Sequence, residues 1–398
     1  MVEIVYEMLS DREKSLIECC LDRIGNGANR IYIAPFDRVG RSGARLFRVF
    51  FCPDKDCYPH IVKIDRKDRI QREYENFQKI QNYLLPETTG APREPIYESR
   101  EAEEALGILY FQIVSDSNFD SARTLQLSDI IFDVSNDPDI EKERLDCLRN
   151  IFDRLYGICL SRTADTSNNE PTSVLLKDEF EWHISAIKRL NPRKKYGQIV
   201  GIEHIDEAMS TCAGANFANP VRLFEEISSG KGIWEEPVIR NLKHVHGDLH
   251  CNNIVLNSEK KPVLIDFAWA QLNADILKDF VLLENSIRVV MFPAYVNLDR
   301  HKEIDEFLLE EDGPLKARNL LTGDEPLFLH YVRLLEIVEI IRKYARRYGG
   351  KGYDWPQYLQ SQFITMYRQL AYDTPNSIVG FRTLGMIGNR VKHEHQRS

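Results

Sequence analysis

The run His246-Gly247-Asp248-Leu249-His250-Cys251-Asn252-Asn253, followed by Val263-Leu264-Ile265-Asp266-Phe267, brings Asp248, Asn253 and Asp266 into one short stretch. Side chains of these types can move a phosphoryl group from a nucleotide to an alcohol. Asp248 would accept a hydrogen bond from the attacking hydroxyl and aim it. The Asn253 amide and the Asp266 carboxylate would hold the magnesium that neutralises the phosphates. Because such a transition state is loose, positioning counts for more than deep proton abstraction.

Upstream elements must bring the nucleotide to these groups. Ile31-Tyr32-Ile33-Ala34-Pro35, Arg45-Leu46-Phe47-Arg48-Val49-Phe50 and Pro59-His60-Ile61-Val62-Lys63-Ile64 read as three strands, with Gly40-Arg41-Ser42-Gly43 in the first turn. Gly40, Ser42 and Gly43 would let the backbone close over phosphate oxygens with amide hydrogens as donors; the plain alternative is an ordinary β-turn. Lys63, in an otherwise apolar strand, needs a partner. Nucleotide phosphates and a helix carboxylate would supply it, the alternative being a lysine on the solvent face of an edge strand. The amphipathic segment from Arg72, with Phe77, Ile80 and Leu84 at helical spacing, offers Glu73 or Glu75. Pro95–Glu98 and Leu106–Val114 read as two further strands. Backbone groups around Gln112 to Val114 would bond the nucleotide base, and the polar run 115–118 marks a boundary.

His-Gly-Asp-Leu-His-x-x-Asn followed by Ile-Asp-Phe resembles the aminoglycoside phosphotransferase and choline kinase family, a branch of the protein-kinase-like fold. Arg41-Ser42-Gly43-Ala44 and Arg72-Glu73-Tyr74-Glu75-Asn76 resemble its ternary-complex-associated phosphotransferase-like branch. The resemblance implies a bilobal α+β fold: a small antiparallel N-lobe and a large, mainly helical C-lobe. It also implies ATP or GTP with Mg2+, and a small-molecule hydroxyl as acceptor. Protein kinases usually carry Arg where Gly247 stands, to read a phosphorylated activation loop; its absence implies an enzyme without that switch. Two other readings are weighed. His244-x-His246-x-Asp248 resembles the start of a two-zinc hydrolase motif, but that motif wants a histidine where Leu249 stands. A catalytically inactive binding module on the same fold is the other.

Composition agrees with a globular enzyme: 398 residues, 43% apolar, 28% charged and a net charge of −9. That charge argues against a nucleic-acid partner. The start of the chain lacks a basic, then apolar, leader pattern, and no apolar run approaches a membrane span. The eight scattered cysteines point to a reducing cytoplasm. Cys19, Cys20, Cys147 and Cys159 read as core residues, and Cys52 and Cys57 as a hairpin tip rather than a zinc clip.

The expected organisation is an N-terminal helical extension over 1–29, an N-lobe over 30–114 and a C-lobe over 115–398. Ser10-x-x-Glu13 caps the first helix, which should run to about Arg23. Leu125–Phe132 and Glu141–Leu160 should be helices, then a helical insert over 165–240 walls the acceptor site, as the resemblance implies. Its acids, among them Glu179, Asp206, Glu207, Glu225 and Glu226, could attract a cation or simply face solvent. Asp279 opens a later helix, as a dipole partner or a substrate contact. Residues 392–398 read as a polar, frayed end.

Overall fold

The computed structural model describes residues 3–6, 9–24, 30–35, 44–52, 58–98, 104–112, 125–133, 135, 137–161, 170–201, 204, 206–207, 209–212, 215–230, 235–257, 259–290, 298–323, 328–371 and 377–395. The N-lobe is built on strands β1 (Glu3–Tyr6), β2 (Arg30–Pro35), β3 (Arg45–Cys52), β4 (Tyr58–Arg66), β5 (Ile96–Tyr97) and β6 (Leu106–Gln112). They form a six-stranded sheet in the order β1-β2-β3-β4-β6-β5. All neighbours run antiparallel except β1 and β2.

Side chains alternate across a strand, and β4 uses both faces. Val62 and Ile64 pack with Ile33, Phe47, Val49 and Ile108 against Leu16 and Ile17 of helix α1 (Asp11–Ile24). Burying each of those α1 side chains is worth roughly 1.5–3 kcal/mol. Ile61 packs on the other face with Leu109, Phe111 and Ile70 of helix α2 (Lys67–Ile80). Lys63 shares that second face. The capping box of α1 forms as expected, Ser10 N donating to Glu13 Oε2 at 2.8 Å. Glu13 also accepts from Arg45 of β3, which ties α1 to the sheet.

The described residues of 1–29 therefore do not form a separate helical extension: β1 joins the sheet and α1 covers its outer face. Helix α2 starts at Lys67, directly out of β4 and earlier than Arg72.

The chain from 125 onward is mainly helical, and the fold is α+β, a mostly antiparallel sheet followed by a large, mainly helical part. Its centre is the helix Leu277–Asn285, buried at every position. Within it Glu284 accepts from Arg342 at 2.7 and 3.0 Å, Arg288 at 3.1 Å, and Tyr358 and Gln362 at 2.8 Å. Burial alone would raise this carboxyl, but Arg342 and then Arg288 hold it down to about 2. The network pins the helices Phe328–Gly349 and Trp355–Ala371 around the centre.

The region 165–240 is not purely helical. Between its helices lie short strands at Thr172–Val174, Met209–Cys212, Ala215–Ala218 and Val238–Arg240. Its apolar residues join one core with the C-terminal helices, Phe180, Ile187, Leu223 and Ile227 meeting Phe363, Tyr367 and Leu384. Helix Ser377–His395 runs through residues expected to fray. No helix among the described residues is long and apolar enough to cross a membrane. Cys159 is buried, but Cys19 lies on the exposed side of α1.

Candidate active site

Lys63 projects from β4 beneath the sheet and meets two carboxylates. Its Nζ lies 2.7 Å from Glu73 Oε2 and 2.9 Å from Asp266 Oδ1. Glu75 is occupied elsewhere, accepting from Gln71 at 2.6 Å, so Glu73 is the partner. Lys63 and Glu73 are buried, and a lysine there without a partner would be costly. Burial works against the Lys63 ammonium, yet Asp266 and Glu73 outweigh it and its pKa is raised. Glu73 is pushed up to about 7 by burial, with Lys63 opposing. For Asp266 Lys63 wins over burial, and the carboxyl is lowered. Two carboxylates around one ammonium leave the cluster net negative, a setting suited to a cation.

Asp266 sits at φ 64°, left-handed backbone that few non-glycine residues adopt. Strain of this kind persists where the surroundings hold it, often at functional positions. Here the next residue, Phe267, is buried against Phe77 of α2 at 5.2 Å and against the His246 ring at 5.0 Å. Asn76 of α2 donates to Ala268 O at 2.8 Å. The Asp266 loop is thus fastened to the helix that carries Glu73.

The loop 246–253 leaves the strand Leu242–Val245 and ends in a short 3-10 turn, Cys251–Asn253. Asp279, in the first turn of the central helix, takes both of the loop's leading N–H groups, His246 N at 2.7 Å and Gly247 N at 2.8 Å. Asp279 is therefore a clamp on the loop, more than a dipole partner. The His246 ring bonds Ile265 O at 2.9 Å through Nε2 and joins the two loops. Asn253 Nδ2 donates to Asp248 O at 2.9 Å, which leaves its carbonyl oxygen as the amide's acceptor. Asn253 and Asp266 are both hard oxygen donors and fit magnesium, which takes few protein ligands and keeps the rest for phosphates and water.

Gly247 has a second reason to be glycine. Its φ is 79°, and a Cβ would fall 2.0 Å from Trp269 O. Gly247→Ala is expected to cost at least about 2 kcal/mol, read as a lower urea midpoint at unchanged slope. An unshifted midpoint would contradict this close approach.

The site also contains residues that no local spacing signals. Arg368, on the helix Trp355–Ala371, reaches Asp248 Oδ1 with Nη1 at 3.3 Å. Its guanidinium lies 3.9 Å from the ring centre of Trp182, whose centroid is 3.5 Å from that of Trp269. Arg72 of α2 lies 4.7 Å over Trp269. His250 Nε2 is 3.8 Å from the other Asp248 oxygen.

The geometry does not suit the two-zinc reading. The His244 ring packs against Tyr83 with centroids 3.9 Å apart, and the His246 ring bonds Ile265 O. Among the described residues no three His, Cys, Asp or Glu side chains form a metal-holding group. Gly40, Ser42, Gly43, Val114 and Cys57 lie outside the described residues. Gln112 ends β6 opposite His60. The acids of 165–240 are partly committed: Glu179 to Lys278 at 2.5 Å, Glu225 and Asp206 to Arg193, and Glu226 to Lys392 at 3.2 Å.

Residues 183–371 match the family described as Ternary complex associated domain 9. That span holds Asp248, Asn253, Asp266, Asp279 and Arg368, and it stops short of the N-lobe. Solved structures with a similar chain path include the choline kinase LicA from Streptococcus pneumoniae, 11% identical, covering 96% of this chain and 100% of that one at a TM-score of 0.44. Another is a thermostable mutant of the aminoglycoside phosphotransferase APH(4)-Ia in ternary complex with ADP and hygromycin B, 12% identical, covering 85% and 100% at 0.37. A third is a choline kinase from Cryptosporidium parvum Iowa II, 11% identical, covering 96% and 97% at 0.37. No curated protein matches the sequence.

Proposed function

We propose that the chain is a phosphotransferase that moves the γ-phosphate of ATP or GTP to a hydroxyl of a small molecule. The observation that carries this reading is Lys63 held between Glu73 and Asp266 at 2.7 and 2.9 Å. It ties the N-lobe sheet, α2 and the Asp266 loop into one cluster beside the Asp248 loop.

The nucleotide lies between the N-lobe sheet and the Asp248 loop, its base at the Gln112 end of β6 and its phosphates at Lys63, with Gly40, Ser42, Gly43 and Val114 as the contacts proposed from the sequence alone. Lys63 binds phosphate oxygens while Glu73 keeps its ammonium aimed. Asn253 and Asp266 would hold magnesium, which would neutralise charge on the phosphates when bound. Asp248 accepts a hydrogen bond from the acceptor hydroxyl and receives its proton as the new O–P bond forms. The bond from the γ-phosphorus to the bridging oxygen breaks, and the nucleoside diphosphate leaves with that electron pair. Asp279 keeps Asp248 in place by clamping the loop that carries it.

Asp248→Asn separates binding from chemistry. The variant is expected to keep the rise in Tm that Mg-ATP gives the wild type, yet to form phosphate ester from γ-labelled ATP roughly 100- to 10,000-fold more slowly. Undiminished transfer would overturn the role of Asp248. Nucleotide binding without transfer in the wild type, against pooled hydroxyl compounds of every charge, would favour an inactive binding module.

A further inference from the structure

Arg368 is a buried guanidinium with too few partners. Its residue is 6% exposed, and its Nε has no hydrogen-bond partner among the described residues. The bond it makes there is the 3.3 Å contact from Nη1 to Asp248 Oδ1. A guanidinium is a planar fork of N–H donors that matches a carboxylate or phosphate in pairs of bonds, and buried donors left unmatched are costly. Other polar groups nearby do not absorb it: the buried His183 Nε2 also lacks a partner. His183 is held well below its usual pKa by burial and then by the charges of Arg368 and Lys278, so it stays neutral beside the guanidinium.

The aromatic pair beside Asp248 points the same way. Indole faces near a hydroxyl-positioning carboxylate would suit a cationic alcohol. Here the chain's own cations take them, Arg368 on Trp182 at 3.9 Å and Arg72 on Trp269 at 4.7 Å. A cationic acceptor would meet like charge at both ends of this stack.

We infer that Arg368 is a specificity-determining residue and that the acceptor is a small hydroxyl compound carrying a carboxylate or phosphate close to that hydroxyl. The anion pairs with Arg368 N–H donors that Asp248 leaves unmatched, Trp182 holds the guanidinium plane, and the neighbouring hydroxyl falls to Asp248. The inference rests on the phosphotransferase reading of the same cleft.

The test uses the full chain with D-glycerate, L-malate and glycerol phosphate as anionic probes, glycerol as the neutral one, and choline and serinol as cationic ones. Ester formation from Mg-ATP is followed for the wild type, Arg368→Gln and Arg368→Lys. Separately, each probe's effect on Tm is read in the presence of magnesium and a non-hydrolysable ATP analogue. The anionic probes should raise Tm further and be phosphorylated with the highest kcat/KM. Arg368→Gln should lower kcat/KM on them by about 10- to 100-fold, chiefly through KM, with partial recovery in Arg368→Lys. The hydroxy acids and glycerol phosphate tell carboxylate from phosphate recognition.

Preference for the neutral or cationic probes overturns the inference. So does an Arg368→Gln variant that still shows the analogue's Tm shift and loses nothing on the anions. If the analogue shifts Tm and no anion adds to it, the inference falls while the nucleotide site stands. If the analogue itself gives no shift, the phosphotransferase reading fails and the inference fails with it.

Discussion

Asp266→Ala is expected to abolish the stabilisation that Mg-ATP gives the wild type. At a hundredfold excess over Kd that stabilisation amounts to about 2.7 kcal/mol. Asp266 is assigned as the carboxylate that holds the metal, and it stands 2.9 Å from the lysine assigned to the phosphates. Its loss removes the anchor for the cation and leaves Lys63 with Glu73 alone. Alanine at φ 64° adds backbone strain that asparagine tolerates better. Asp266→Asn is therefore the cleaner variant: it should fold with a near wild-type Tm and still lose most of the magnesium-dependent shift. A shift of full size in Asp266→Asn would remove this residue from the metal site.

Lys63→Met has the second large effect, on stability as well as binding. It strands Glu73, which is 1% exposed and whose Oε1 already lacks a partner among the described residues. Breaking a buried ion pair from one side costs about 3–5 kcal/mol, because the surviving charge is left uncompensated. The double variant Lys63→Met/Glu73→Gln should recover most of that loss, with a coupling well outside additivity.

The penalty should also depend on pH. Glu73 is already raised from 4.5 to about 7 by burial with Lys63 present, and removing Lys63 raises it further. A carboxyl raised on folding has its stability contribution present below its unfolded pKa and lost as pH rises through the folded one. Urea unfolding should therefore show a smaller Lys63→Met penalty at pH 5.5 than at pH 8. Equal penalties at both, or a double variant no better than the single, would mean that Glu73 is not the stranded charge.

The residues legible in the sequence are those whose type is improbable for their place. An Asp-x4-Asn ahead of Ile-Asp-Phe announces itself locally, and a lysine inside an apolar strand, as at Lys63, gains its meaning beside that motif. Arg368, Trp182 and Trp269 do not. They meet because the helix Trp355–Ala371 packs beside 181–190, and nothing in the sequence around any of them marks that contact. The strand β1 escapes for the same reason, since its pairing with β2 spans helix α1.

Helix Ser377–His395 contains Gly380, Gly385 and Gly388, residues poor in helix propensity. They are packing residues: a Cβ there would sit 2.1–2.3 Å from side-chain atoms of Leu370, Phe217 and Leu223. The weight of Asp279 also rests on geometry, because its two bonds go to backbone N–H groups that leave no trace in side-chain spacing.

The most direct measurement is phosphorus NMR of the wild type with Mg-ATP and the acceptor probes, run beside Asp248→Asn. The account predicts that the γ-phosphate resonance gives way to that of a phosphate ester, one equivalent per nucleoside diphosphate formed, and that Asp248→Asn leaves ATP intact. Ester formation that persists undiminished in Asp248→Asn, or activity that EDTA-treated protein regains with zinc and not with magnesium, would contradict it.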